Sequence, residues 1–265
     1  MIIVGERINA TRKHVGAAVS ARDEKYIIKE AVEQEQFGAH MIDVNAGKAP
    51  EKEVEDMKWL MDLVQKHTKL PICIDSANAK ALEAGLALNR NGRPLVNSVT
   101  DETARIEAIL PLVKKFDTMV VALLIDEKGV ADTVARRMEI ADSLVNKILK
   151  TGIKVEDIFV DPCIFPLSTN GIYGLDAVES ISKIKAKFPG IKTTCGLSNI
   201  SYGLPLRSLV NQAFIVMLMT AGLDSALIDP LDKKMVSLVY AANALLNKDE
   251  YCMNYITAAR DEKLT

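Results

Sequence analysis

Short apolar runs of strand length alternate along this chain with longer stretches whose apolar residues recur every three or four positions. The runs are Ile2–Gly5, His40–Val44, Pro71–Ile74, Pro94–Asn97, Thr118–Ile125, Asp157–Val160, Lys192–Gly196 and Ser225–Ile228. Between them, Val54, Met57, Met61 and Val64 keep helical spacing, as do Val134, Met138, Ala141, Val145 and Ile148,. Further helices are predicted at about 23–38, 77–89, 101–114, 175–187, 204–220 and 232–246,. Asp176 and Asp232, near two helix starts, suit a helix dipole or an N-cap,.

Eight strands alternating with eight helices in 265 residues predict an α/β fold, a single-domain (β/α)8 TIM barrel spanning 1–265,. The rival is an open doubly wound sheet, which places a glycine-rich phosphate turn after its first strand. Here that strand is followed by Glu6-Arg7-Ile8-Asn9-Ala10, and neither G-x-G-x-x-G nor G-x-x-x-x-G-K-[ST] occurs.

The barrel changes the meaning of the polar residues, because barrel active sites lie at the C-terminal ends of the strands. Those ends read Glu6-Arg7-Ile8-Asn9, Asp43-Val44-Asn45-Ala46-Gly47, Asp75-Ser76, Asn97-Ser98, Asp161-Pro162, Gly196-Leu197-Ser198-Asn199 and Asp229-Pro230. Singly, each has a plain explanation. Asp75 and Asp161 stand where N-caps stand, Asp229 before Pro230 suits a turn, and Glu6 suits an ion pair or hydrogen bonds in the mouth. Together, several Asp and Asn at the same end of different strands converge on one cleft. An ionised Asp accepts two N–H donors, and Asn both donates and accepts. That mixture suits the edge of a pterin, with its ring N–H, exocyclic amine and carbonyl. It suits phosphate poorly, since phosphate calls for Arg, Lys and backbone N–H groups. A glycosidase also pairs carboxylates but stacks sugars on aromatic platforms, and aromatics are 5% of this chain.

Composition narrows the picture further. The formal net charge is −2 with no basic block, which argues against nucleic acid,. The longest apolar-rich stretch, Ala213 to Leu223, is shorter than the roughly 20 residues of a membrane span,. No signal-peptide pattern opens the chain, and a cytoplasmic location is expected. Cys73, Cys163, Cys195 and Cys252 form no C-x-x-C, and the three histidines are scattered, so no protein-bound metal is expected,.

The motifs Gly5-Glu6-Arg7-Ile8-Asn9, Asp43-Val44-Asn45, Ile74-Asp75-Ser76, Val96-Asn97-Ser98, Asp161-Pro162 and Gly196-Leu197-Ser198-Asn199 occur in a fixed order. Together they resemble the methyltetrahydrofolate:corrinoid/iron–sulfur protein methyltransferases. They are also similar to the folate-binding domain of cobalamin-dependent methionine synthase and, more distantly, to dihydropteroate synthase. The likeness continues through Ala221-Gly222-Leu223-Asp224 and Leu245-Leu246-Asn247.

The resemblance implies that Asp75, Asn97 and Asp161 hold the pterin of tetrahydrofolate or 5-methyltetrahydrofolate. It implies that Asn199 reaches N5, where the methyl sits, and acts in catalysis, with Asn9, Asp43, Ser198 and Arg207 in support. Some members carry Gln where this chain has Tyr202. The implied reaction is an SN2 transfer, in either direction, between N5 and the cobalt of a corrinoid protein, with N5 activated by protonation or a hydrogen bond. No D-x-H-x-x-G motif is present, so the corrinoid is expected on a transient partner. A homodimer is also expected, with Tyr251-Cys252-Met253-Asn254-Tyr255 and apolar helix faces as candidate contacts,. The alternatives are a dihydropteroate synthase-like enzyme, which needs a Lys/Arg constellation absent from the strand ends, and a non-catalytic folate-binding subunit.

Overall fold

The computed structural model describes residues 1–47 and 49–265. Eight parallel strands run in the order eighth, first, second, third, fourth, fifth, sixth, seventh. They are Ile2–Asn9, Met41–Asn45, Ile72–Asp75, Leu95–Val99, Met119–Leu123, Ile158–Asp161, Lys192–Thr193 and Ser225–Ile228. A parallel bridge between Gly196 and Leu227 joins the seventh to the eighth and closes the ring. The (β/α)8 barrel predicted from the alternation is the fold.

Alternation along each strand sorts its side chains to two sides. Val4, Met41, Cys73, Leu95, Val121 and Phe159 turn inward and fill the barrel as a buried apolar plug. Their neighbours Ile42, Ile72, Ile74, Val96, Val120 and Ile158 turn outward against the helices. Strands buried on both sides have no polar face, which is why they read as continuous apolar runs.

The surrounding helices are α1 (Lys13–Ala21), α2 (Glu24–Gln36), α3 (Glu53–His67), α4 (Ala79–Ala87), α5 (Thr103–Lys115), α6 (Val134–Lys150), α7 (Tyr173–Lys187), α8 (Arg207–Ala221), α9 (Lys233–Leu245) and α10 (Met253–Arg260). Several begin on a side-chain cap: Asp23 accepts from Tyr26 N–H, Asn78 from Lys80, Thr133 from Arg136 and Asp232 from Met235,. Asp176 lies in the first turn of α7. In α6, Ile140, Ala141, Leu144, Val145 and Ile148 form the buried stripe that the periodicity predicts.

Four local differences from the sequence reading stand out. The first strand continues past Gly5 to Asn9, with an irregularity in register between Gly5 and Ile8. The fifth strand stops at Leu123, and the apolar run beyond it enters a two-stranded ribbon, Ile125–Asp126 with Gly129–Val130. Asp126 Oδ1 accepts the Lys128 N–H there, and Gly129 takes φ 100°, a conformation open to glycine,. Helix α1 is additional, and its apolar residues are mostly small. The Tyr251–Tyr255 segment, read as turn-rich, is a 3-10 turn (Glu250–Cys252) running into α10, with Tyr251 and Cys252 both at positive φ.

Candidate active site

One residue pair above the apolar plug, the inward positions become polar. Two positions past Val4, Met41, Cys73, Leu95 and Phe159 stand Glu6, Asp43, Asp75, Asn97 and Asp161. Parallel register fixes part of this layer as a row, with Asn9 opposite Asn45, Asn45 opposite Asp75, and Asp75 opposite Asn97. The Asn45 amide donates to Asp75 Oδ2 at 2.9 Å. The first, second, seventh and eighth strands border an open cleft of about 570 Å3, lined by Glu6, Asn9, Asp43, Ser198 and Arg207 among others.

Each expected site residue has a definite place. Asn9 borders the cleft, and its Oδ1 accepts the Thr11 N–H at 3.0 Å and hydroxyl at 2.7 Å. Asp43 is buried, with one carboxyl oxygen lacking a hydrogen-bond partner. Asp75 is not the cap of α4; Asn78 is. Asp161 Oδ1 accepts the Cys163 N–H at 2.8 Å in a local turn, well before α7 begins at Tyr173. Ser198 donates to Glu6 Oε1 at 3.1 Å. Arg207 reaches back to the Ser198 carbonyl at 2.7 Å and Ser201 Oγ at 3.0 Å, clamping the 3-10 turn Leu197–Ser201. Asn199, on that turn, is exposed, with its amide nitrogen 3.2 Å from where a Cβ on Gly196 would stand. The turn at Asp229 is also as expected, since Oδ1 accepts the Leu231 N–H, and its other oxygen pairs with Arg7 at 2.8 Å.

Crowded, buried carboxyls resist ionisation. Burial pushes Glu6 upward against the Ser198 hydrogen bond. Burial, then the Asp75 charge, pushes Asp43 well above the usual carboxylate range. Burial raises Asp75, opposed by the Asn45 amide. Burial raises Asp161 to about 6, opposed by the Cys163 and Gly196 N–H groups and by the Arg137 charge. A ligand edge carrying several N–H donors would satisfy these acceptors and relieve their mutual repulsion. A phosphate would meet more negative charge than donors.

Two contributors were missing from the expected set. Asn45 lies inside a motif the sequence displayed, but its bond to Asp75 depends on strand register. Arg137 lies on the buried stripe of α6 and is fully buried; its contact with the turn after Asp161 is made across the fold.

The pterin binding enzyme family matches residues 5–229. The chain belongs to that family. Over 266 aligned residues it is 39% identical to the methylcorrinoid:tetrahydrofolate methyltransferase of Eubacterium limosum, covering all of this chain and 98% of that protein. It is 34% identical over 241 residues to methionine synthase of Mycobacterium tuberculosis, covering 86% of this chain and 20% of that protein. Among solved structures, dihydropteroate synthase from Xanthomonas albilineans in complex with 7,8-dihydropteroate superposes with TM-score 0.67 at 15% identity, covering 92% of each chain. The Yersinia pestis dihydropteroate synthase gives 0.69 at 13% identity over 93% of each chain. At those identities the structures establish the shared fold alone. The family read from the ordered strand-end motifs is therefore the family found.

Proposed function

We propose that this chain is a methyltransferase that moves a methyl group between N5 of tetrahydrofolate and the cobalt of a corrinoid protein. The observation that carries this reading is the layer of Glu6, Asp43, Asp75, Asn97 and Asp161 at one end of the strands, beside a cleft lined by Glu6, Asn9, Asp43, Ser198 and Arg207. The full-length similarity to a methylcorrinoid:tetrahydrofolate methyltransferase supports the same reaction class.

In this reading, Asp75 and Asp161 accept N–H donors of the pterin, and Asn97 supplies a donor and an acceptor beside them. Asp43, pushed toward its neutral form by burial, supports Asn97 from below without adding a second full charge. Glu6 and Ser198 form the opposite wall, and Arg207 keeps the Ser198–Asn199 turn in shape. Asn199, free in the open mouth, donates to N5. That bond strengthens as charge develops on nitrogen, so it favours the transition state over the ground state.

In this reading the corrinoid is a co-substrate delivered by a separate protein to the open cleft. In one direction the N5–methyl bond breaks with its electron pair left on N5, which takes a proton, while reduced cobalt gives the pair that forms the new bond. The other direction reverses each step. Residues 1–265 act as one catalytic unit, because Met235, Val236 and Val239 of α9 pack in the same core cluster as Ile3 and Ala226 of the barrel.

The test is an assay with 5-methyltetrahydrofolate and free cob(I)alamin, and with methylcobalamin and tetrahydrofolate in reverse. Methyl transfer supports the enzyme. Tight folate binding with no turnover, alone or with a corrinoid protein, would make this a folate-binding subunit instead.

A further inference from the structure

Arg137 has no solvent exposure, and among the described residues its polar contacts are the Cys163 carbonyl and the Ser180 hydroxyl, neither of them an Asp or Glu. Its Nε has no hydrogen-bond partner. One terminal nitrogen donates to the Cys163 carbonyl at 3.2 Å, and the other lies 3.4 Å from Ser180 Oγ. The Phe165 ring lies 5.7 Å from the guanidinium carbon. A cation taken out of water with no anion in contact is costly, and such groups persist where they serve something else.

What Arg137 touches is the turn that carries Asp161. Cys163 donates its N–H to Asp161 Oδ1 at 2.8 Å and offers its carbonyl to Arg137. Its φ of 59° lies in the left-handed region, uncommon for a residue with a side chain,. The residue is thus held at both ends, by a carboxylate on the cleft side and a guanidinium on the helix side.

We infer that Arg137 is a positioning residue for Asp161: through the Cys163 turn it fixes the direction of that carboxylate and places a positive charge behind it, opposite the ligand's N–H donors. This rests on the proposed role of Asp161 in holding the pterin. Other titratable groups face the pair from each packed element. Asp176 and Tyr173 of α7, Asp132 ahead of α6 and Cys163 act on Arg137. The half-buried Cys163 and the buried Cys195 both feel Asp161, and burial pushes both thiols upward, so they stay neutral. Arg137 is the cation whose charge favours ionised Asp161.

The experiment follows 5-methyltetrahydrofolate binding by calorimetry between about pH 5.5 and 8.5 in wild type, R137M, R137Q, R137K and D161N. Carbon-13 NMR of labelled aspartate, with D161N assigning the signal, follows the carboxyl directly in the free protein. R137M and R137Q should move the Asp161 midpoint to higher pH and weaken binding about tenfold at the acid end, with much less effect at the alkaline end. R137K, which keeps the charge, should restore the midpoint. R137Q keeps donors for the Cys163 carbonyl and serves if R137M does not fold. A folded R137M or R137Q with the wild-type midpoint would overturn the inference and leave Arg137 a wall residue. Unchanged binding in D161N would remove Asp161 from the ligand site, while the NMR arm would still decide whether Arg137 governs it.

Discussion

The side-chain amide of Asn45 donates to one carboxylate oxygen of Asp75 across the second and third strands, at 2.9 Å. The bond holds one Asp75 oxygen, and in the proposed site the other is the one that meets the ligand. Losing a charged partner of a ligand's N–H donors costs on the order of 1.5–3 kcal/mol. Asp75→Ala should therefore weaken folate affinity at least about tenfold while the far-ultraviolet spectrum and melting stay near wild type. Asn45→Ala, which removes the group that opposes the upward shift of Asp75, should weaken binding chiefly in acid. Unchanged calorimetric affinity in folded Asp75→Ala would exclude it from the site.

The raised carboxyls give binding and folding opposite pH dependences. Asp161 in the folded chain titrates at about 6, above its ordinary value, because of burial. The folded state then binds a proton more readily than the unfolded chain. Its contribution to the free protein's stability is present in acid and lost as pH rises through about 6,. Pterin donors need the ionised form, so affinity should be full above that value and fall roughly tenfold per unit below it. The thermal shift produced by 5-methyltetrahydrofolate should therefore grow from pH 5 toward pH 7, on the order of a few degrees. A ligand shift that is flat with pH would show that Asp161 does not titrate with binding.

Asn199 separates rate from affinity. If its amide donates to N5, Asn199→Ala should slow single-turnover transfer by roughly a hundredfold while changing folate affinity less. Stopped-flow decay of cob(I)alamin at saturating folate, beside an equilibrium titration, reads both. A wild-type rate at saturation would remove Asn199 from the chemistry. Gly196→Ala tests the same turn, because the added Cβ would stand 3.2 Å from the Asn199 amide nitrogen.

Arg7 joins α2 to the eighth strand. It pairs with Glu30 at 2.5 Å and Asp229 at 2.8 Å, and Glu30 is only 4% exposed. Arg7→Met strands a buried carboxylate and should cost about 2–3 kcal/mol, less than a fully buried pair because Arg7 retains some exposure. Urea denaturation should show a lower midpoint with an unchanged slope. A wild-type midpoint would mean that Glu30 finds another partner.

Assembly is open to direct test. Leu245, Tyr251 and Met253 are 86%, 84% and 54% exposed, and a symmetric homodimer is the commonest assembly of a soluble chain. Light scattering across a concentration series should give the mass of a dimer, and Tyr251→Lys should shift it toward the monomer. The purified chain should carry no cobalamin absorption, since the proposed reaction takes its corrinoid on a separate protein. A single-chain mass throughout, or bound cobalamin, would refute the corresponding expectation.

The sequence by itself determined the fold class, the family and which polar residues stand at the strand ends. Strands buried on both sides must be apolar along their length, and helices packed on them must show a stripe, so the alternation is written in local pattern. Asp43, Asp75, Asn97 and Asp161 interrupt that pattern at the strand ends, where a barrel gathers them, and their order carried the family. Only the tertiary structure decided how they act on one another. The Asn45–Asp75 bond needs the register of two strands. The upward shifts of Asp43 and Asp161 come from depth and from neighbours distant in the chain. Arg137 lies four residues before Ala141 on the buried stripe of α6, and only packing shows it set against the turn that bears Asp161. Local pattern records which face a residue takes; burial, register and charge at a distance arise only when remote segments close around it.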